Sequence, residues 1–308
     1  MARHVFVPSR FHNVLGTRDP VLSIADGDTV VTTTLDAGGR DHEYVQRTTP
    51  PNPMTGPFLV EGAEPDDALA IRIDRMTPTR PTGWTFSVLA ANVVDPQAVR
   101  LLPERETVEW TIDAAAGTVR LKEPPASLAY LTLPFAPMIG CFGVAPPIGQ
   151  AISTATSGEH GGNMDYRYFR PGTTAYFPVF APGALFFLGD GHASQGDGEI
   201  VGTGIETSFE IEFTVRVLKN RRLGWPRGET ADEIFTVGNA RPLDQALQHA
   251  TTEMLRGLGE DCGLDRPAGS PLRGQGVRYG VGNVYDPAYT VGCRVAKAWL
   301  PKRVHGFA

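Results

Sequence analysis

The sequence predicts a mainly β fold, a β-sandwich or barrel-like architecture with few helices and one long helix near residues 242–258. Three observations carry this. The 308 residues include 35 Gly and 26 Pro, together about a fifth of the chain where about 12% is usual, and no Gly-X-Y period accompanies them. Period-2 alternation of apolar and polar residues recurs in several short segments. Only one segment follows the helical period over more than three turns.

The clearest strand is 209–217. Phe209, Ile211, Phe213, Val215 and Val217 fall on one face, and Glu210, Glu212, Thr214 and Arg216 on the other, as in a strand with one buried side. Thr29 to Leu35 is rich in β-branched residues. Leu69, Ile71 and Ile73 alternate with Arg72 and Asp74. Val108, Trp110 and Ile112 lead into the turn 114–117 and then Val119 and Leu121, which predicts a hairpin. Thr174 to Leu188 is strand-like, its end a buried apolar run from Ala184 feeding a loop at Gly189. The helix is read from Leu243, Ala246, Leu247, Ala250, Met254, Leu255 and Leu258, with Pro242 in its first turn and Gly259 or Gly263 ending it. Residues 265–276 are polar and Pro/Gly-rich and read as a loop, and 277–299 as one or two further strands. Many short strands with Gly/Pro turns are what a sandwich or barrel requires. One domain over 1–308 is expected, with a weak subdivision near 124–125, at Pro124-Pro125.

Composition excludes several classes. Hydrophobic residues make up 41% and charged residues 20%, with a net charge of −6, so the chain is globular and lacks the basic surface of a nucleic-acid binder. Residues 130–150 carry no charge, but Pro134, Pro137, Pro146 and Pro147 would break a membrane helix. That stretch reads as buried, irregular chain, and its apolar length suggests a homo-oligomer, with a dimer favoured. The start of the chain lacks a secretory core. Cys141, Cys262 and Cys293 form neither a disulfide framework nor a CxxC clamp. Free buried thiols suit a reducing compartment, so a cytoplasmic protein with no membrane partner is expected.

The polar chemistry is concentrated in two clusters, residues 157–165 and 189–199. Their glycines permit positive φ and close backbone approach. They supply His160, Asn163, Asp165, Asp190, His192, Gln195, Asp197 and Glu199. Imidazoles with carboxylates are the ligand types of Zn²⁺ or another borderline divalent ion. Asp190 and His192 are two apart, so in extended chain they share a face. Other schemes fail. There is no G-x-S-x-G elbow, no P-loop, and no dinucleotide fingerprint. Only four lysines exist, none beside a Gly/Ser-rich run. Cys141 has no His or Glu beside it in sequence.

HGGNMD at 160–165, GDGHASQGDGE at 189–199, TGPFLVEGAEP at 55–65, PMIGCFGVA at 137–145 and VGNVYDP at 281–287 resemble the acetamidase/formamidase family. The resemblance runs from about residue 12 to 299. It implies a mainly β fold, metal dependence, homo-oligomers, and hydrolysis of short aliphatic amides to a carboxylate and ammonia. Two departures stand out: Asp66 where the family usually has Gly, and Glu159 where many members carry Arg.

From these readings a metal-dependent amidase of formamide- or acetamide-like substrates is expected. His160, Asp190 and His192 are the expected ligands of a divalent metal, with Zn²⁺ favoured. Glu199 is the expected general acid and base, with Asp165 next, and Asn163 or Gln195 hold the substrate or the developing oxyanion. Glu61 and Asp197 are secondary candidates. Two alternatives stay open. One is a non-catalytic β-sandwich binding protein with structural Ca²⁺ on Asp190, Asp197 and Glu199. The other is an amidohydrolase acting on larger or cyclic amides.

Overall fold

The structure, a computed structural model, describes residues 1–301, so residues 302–308 of the expected domain lie outside the described residues. Strands hold 38% of the chain and helices 15%, so the fold is mainly β. The strands form two large sheets of nine and eleven strands and one two-stranded sheet. Neither large sheet closes into a barrel. Both large sheets draw strands from either side of Pro124-Pro125.

The nine-stranded sheet is centred on Ala68–Pro78, which pairs with Phe209–Leu218 on one side and Thr174–Pro178 on the other. Phe209–Leu218 alternates as its sequence requires: Phe209, Ile211, Phe213 and Val215 are fully buried. The eleven-stranded sheet contains the hairpin Thr107–Asp113 and Thr118–Leu121, and further in the strands Glu206–Thr207, Phe186–His192 and Met138–Gly143. The sheets pack face to face through aromatic rings. Phe142 of the second sheet meets Phe177 of the first at 5.0 Å between centroids, and Phe186 meets Phe213 at 5.3 Å. Such edge-on contacts add to the burial of their area.

A helix, α1 (Leu243–Cys262), covers the outer face of the nine-stranded sheet through Ala250, Met254 and Leu258. Gly238 makes this approach possible: a Cβ there would stand 2.1 Å from the Ala246 carbonyl oxygen. The helix ends at Gly263, whose φ of 64° is left-handed. It runs a turn beyond the apolar period because Glu253 and Asp261 also face inward, toward Arg227. Leu243 and Leu247, counted with the apolar stripe, are exposed at 36% and 38%.

Three sequence readings need correction. Residues 265–276 are not a loop but a second helix, α2 (Arg266–Gly276). Pro267 falls in its first turn, where no backbone N–H is needed, and Gly269 donates to the Asp265 carbonyl at 2.9 Å. Residues 130–150 are not irregular throughout: Met138–Gly143 is a fully buried strand within the second sheet. Its apolarity serves the core and supplies no argument for assembly. Gly189 to His192 is strand, not loop. No helix among the described residues is long and apolar enough to cross a membrane.

Candidate metal centre

Phe186–His192 lies between Met138–Gly143 and Glu206–Thr207, and all seven of its residues are buried. Its glycines explain how a polar run can be interior strand. A Cβ on Gly191 would stand 2.3 Å from the Phe209 ring, and one on Gly189 2.5 Å from Met54 Cε. The glycines thus admit close packing, while Asp190 and His192 turn to a shared space. Gly140 on the neighbouring strand is the floor of that space. A Cβ there would meet Asp165 Oδ1 at 2.6 Å, Asp190 Oδ2 at 2.7 Å and His192 Cε1 at 2.9 Å. Gly140→Ala is therefore expected to lower metal affinity by about tenfold or more, the usual worth of a disturbed ligand shell, read as metal per chain after dialysis. Unchanged metal content would contradict this placement.

Five carboxylates gather around His192. Asp165, His192 and Glu199 can bring ligand atoms within 4.8 Å of one another, as can Asp190, His192 and Glu206. Asp286 joins them from the 281–287 segment, which is tied to the Glu199 loop by the Gly198 and Val284 backbone bonds. His192 Nε2 lies 3.0 Å from Glu206 Oε1 and 3.5 Å from Asp190 Oδ1. On the other side of the ring, Nδ1 lies 2.8 Å from Gln195 Oε1. Gln195 Nε2 donates to the carbonyls of Asp165 and Gly282 at 2.6 and 3.2 Å, which turns its oxygen toward the imidazole. Nδ1–H is thus the donor, and Nε2 faces the carboxylates with its lone pair when the ring is neutral.

Among the described residues no Lys or Arg pairs with any of the five carboxylates. Burial and the mutual repulsion of the acids push Asp165 and Glu199 well above the usual carboxylate range. Burial, against the favourable charge of His192, pushes Glu206 to about 8. Burial also carries Asp286 to about 7. Burial lowers the His192 pKa, but the charges of Glu206 and Asp190 outweigh it and raise the net value. Asp165 Oδ1, Asp190 Oδ1, His192 Nε2 and Glu206 Oε2 are buried without hydrogen-bond partners. Buried acids with no cation and orphaned atoms facing one space fit a divalent ion. Asp165, Asp190 and Glu199 also hold left-handed φ values of 44°, 56° and 46°, a conformation costing roughly 1–2 kcal/mol per non-glycine residue. Strain of this kind gathers at functional sites.

The other expected residues are placed as follows. His160 is buried, and burial lowers its pKa to about 4. It belongs to neither ligand group. Its carbonyl accepts from the Val144 amide, and its Nε2 is a further buried atom without a hydrogen-bond partner. Asn163 is engaged on both sides: its oxygen accepts from Asn52 at 2.7 Å and its amide donates to Asp286 at 2.6 Å. Asp197 is exposed and lies 3.4 Å from Arg167. Glu61 is exposed in the turn after Thr55–Val60 and belongs to neither group. Glu206 and Asp286 were not anticipated. Asp286 sits inside the VGNVYDP segment, a signal that could have found it. Glu206 lies in the two-residue strand Glu206–Thr207, and nothing in its sequence setting marks it. Cys141, beside Gly140, is a buried thiol whose pKa is raised by burial and the nearby acids, which disfavours the thiolate.

Asn163, Asp190, Glu199, Glu206 and Asp286 line the base of a cleft of about 1010 Å³.

The Acetamidase/Formamidase family profile matches residues 148–249. The acetamidase of Mycolicibacterium smegmatis is 28% identical over 246 residues, 62% of this chain and 59% of that one. The chain spans 52% to 59% of the length of the curated relatives it matches. Two solved structures match over nearly their full length. The acetamidase of Yersinia enterocolitica is 31% identical with a TM-score of 0.83, covering 96% of this chain and 92% of that one. The acetamidase of Bacillus halodurans is 30% identical with a TM-score of 0.84, covering 96% and 98%. Two acetamidase structures at 30% identity or more thus match 96% of this chain, and the chain belongs to the acetamidase/formamidase family.

Proposed function

We propose that this chain hydrolyses linear carboxamides to a carboxylate and ammonia, assisted by a divalent ion held by Asp190, His192 and Glu206. The observation that carries the metal reading is the group of four buried carboxylates, with the half-buried Asp286, around one imidazole and with no Lys or Arg partner among the described residues. The amidase reading draws on the acetamidases and formamidases that resemble the chain. Imidazole among the ligands favours Zn²⁺ over Ca²⁺, which takes oxygen alone. His160 is not assigned as a ligand here, because it belongs to neither group of converging ligand atoms.

A divalent ion held by Asp190, His192 and Glu206 would supply Lewis acidity to activate water and polarise the amide carbonyl. Glu199 lines the cleft and belongs with Asp165 and His192. Burial and the neighbouring acids raise its pKa well above the usual carboxylate range, which favours its holding a proton. It takes the proton from the attacking water and returns it to the departing nitrogen. Gln195 is a positioning residue in this scheme, holding the His192 tautomer rather than the substrate. Asn163 holds Asp286 in place. A homo-oligomer in the cytoplasm, as the resemblance and the free buried thiols suggest, is part of the same proposal, and light scattering tests the assembly.

The test is ammonia release from formamide, acetamide and propionamide, with metal content measured before and after chelation. Loss of both on chelation and recovery with Zn²⁺ supports the reading. Full activity at zero metal overturns the metal role.

Metal removal has a second readout. Asp286 and Glu206 bind protons more tightly folded than unfolded, because burial raises their pKa values to about 7 and about 8. Their contribution to stability is present below pH ~4 and is lost as pH rises through 7 to 8. The melting temperature of metal-free protein should therefore fall across that window. A divalent ion replaces the protons, so Zn²⁺ should raise the melting temperature more at pH 8 than at pH 5. An equal gain at both would contradict it.

A further inference from the structure

The cleft above the site is larger than a three- or four-atom amide needs. Its volume of about 1010 Å³ lies at the upper end of the range, about 300–1,000 Å³, that encloses drug-sized ligands. Its walls are aromatic: Tyr44, Trp84, Phe86 and Tyr285 line it. Trp84 spends its indole N–H on Asp36 at 3.1 Å and packs edge-on to Phe86 at 5.3 Å, so this wall offers apolar surface and not hydrogen bonds.

The wall segment 36–52 is built in advance. Asp36 Oδ1 accepts from the Arg40 amide at 2.9 Å, and Asp41 Oδ1 accepts from Glu43 and Val45. The buried Arg80 ties it down, pairing with Asp36 and donating to the Asp41 carbonyl at 2.8 Å. A surface held this way binds without a large ordering cost.

Three arginines line the cleft. Arg47 is committed to Asp41 at 2.5 Å. Arg40 and Arg105 have no carboxylate partner among the described residues. Arg40 lies over the Tyr44 ring at 5.1 Å. Arg105 lies over the Phe86 ring at 3.3 Å and donates to the Tyr285 hydroxyl at 3.1 Å. Its chain neighbours Glu104 and Glu106 form no ion pair with it. Acids sit at the base and, on the walls, two arginines without a carboxylate partner among the described residues, so the cleft is electrostatically polar along its depth. An anion is repelled from the base and accepted by the walls, while a neutral amide can reach the base.

We propose that the preferred substrate is a primary amide with an aromatic or cyclic body and a carboxylate remote from the amide, bound with its amide toward His192 and its carboxylate toward Arg40 and Arg105. This rests on the amidase reading for turnover, but its binding part stands apart from it.

The experiment compares kcat/KM for 4-carbamoylbenzoate, benzamide and acetamide on the full chain as isolated. It also measures dissociation constants of the two aromatic amides on the Glu199→Gln variant. We expect 4-carbamoylbenzoate to exceed benzamide by about tenfold or more, the worth of a charge-assisted hydrogen bond, and benzamide to exceed acetamide. Arg40→Met with Arg105→Met should bring the ratio of the two aromatic amides close to one, and the paired Lys variants should restore part of it. Acetamide as the best substrate, or an aromatic ratio that survives the double Met variant, would overturn the proposal while leaving the amidase reading intact. If no amide releases ammonia, the amidase reading falls and the dissociation constants decide. A charge preference that the Met variants erase sustains the proposal, and no binding of either aromatic amide overturns it.

Discussion

Glu199→Gln is expected to cut ammonia release by about 10²–10⁴-fold, the usual worth of general acid–base catalysis, while bound metal stays near one full complement. The substitution keeps the size and hydrogen-bonding capacity of the side chain but removes its proton exchange. Asp190, His192 and Glu206, which can bring their ligand atoms within 4.8 Å of one another, remain to hold the ion. His192→Ala should behave differently. It removes the residue common to both ligand groups, so metal and activity should disappear together. Metal analysis beside the rate on each variant separates the two roles. A Gln variant with full metal and full rate would eliminate Glu199 and leave Asp165, whose Oδ1 lies in the same space. A Gln variant lacking metal would make Glu199 a ligand.

The largest stability effect is expected far from the cleft. Arg227 is 1% exposed, donates to Glu253 at 2.7 Å and to Asp261 at 3.1 Å, and lies 3.5 Å from Glu260. Arg221 also pairs with Asp261. Glu253 and Asp261 come from the inward face of α1, and Arg227 from the strand Arg227–Glu229 of the nine-stranded sheet. The group therefore pins helix to sheet. Arg227→Ala leaves two buried carboxylates short of their main cation, and breaking a buried pair in this way costs about 3–5 kcal/mol. Urea unfolding of the variant measures it. Removing the stranded charges as well, with Glu253→Gln and Asp261→Asn, should recover part of the loss. A cost below ~1 kcal/mol, the level of an exposed ion pair, would show that the buried network contributes little.

The strands were legible where one face is buried and the other wet. Phe209–Leu218 and the Thr107–Leu121 hairpin follow the alternation their sequences show, because a one-sided strand must separate apolar from polar residues. The sequence was less informative where that separation fails. Gly189 to His192 lies buried in a strand with no apolar side chain, and glycine there reads as a turn unless the Phe209 and Met54 side chains packed over it are known. Residues 266–276 form a helix despite their turn-forming composition. Tertiary context overrides local preference at such positions.

The site divides in the same way. Asp165, Asp190, His192 and Glu199 stand in two dense polar–glycine clusters, and that local density made them visible. His160 belongs to the same clusters but to neither of the two groups of converging ligand atoms. Glu206 and Asp286 lie in other parts of the chain and reach His192 only because antiparallel pairing and the docked 281–287 segment bring them there.

The β character, the long helix, the family resemblance and the kind of chemistry are readable along the chain, since composition, periodicity and local motifs are properties of sequence neighbours. Which carboxylates share one space, which histidine faces them, and that the cleft above is wide, aromatic and lined by two arginines without a carboxylate partner among the described residues emerge from the three-dimensional packing. Those are distances between residues far apart in sequence, set by strand register and sheet packing, and no local pattern encodes them.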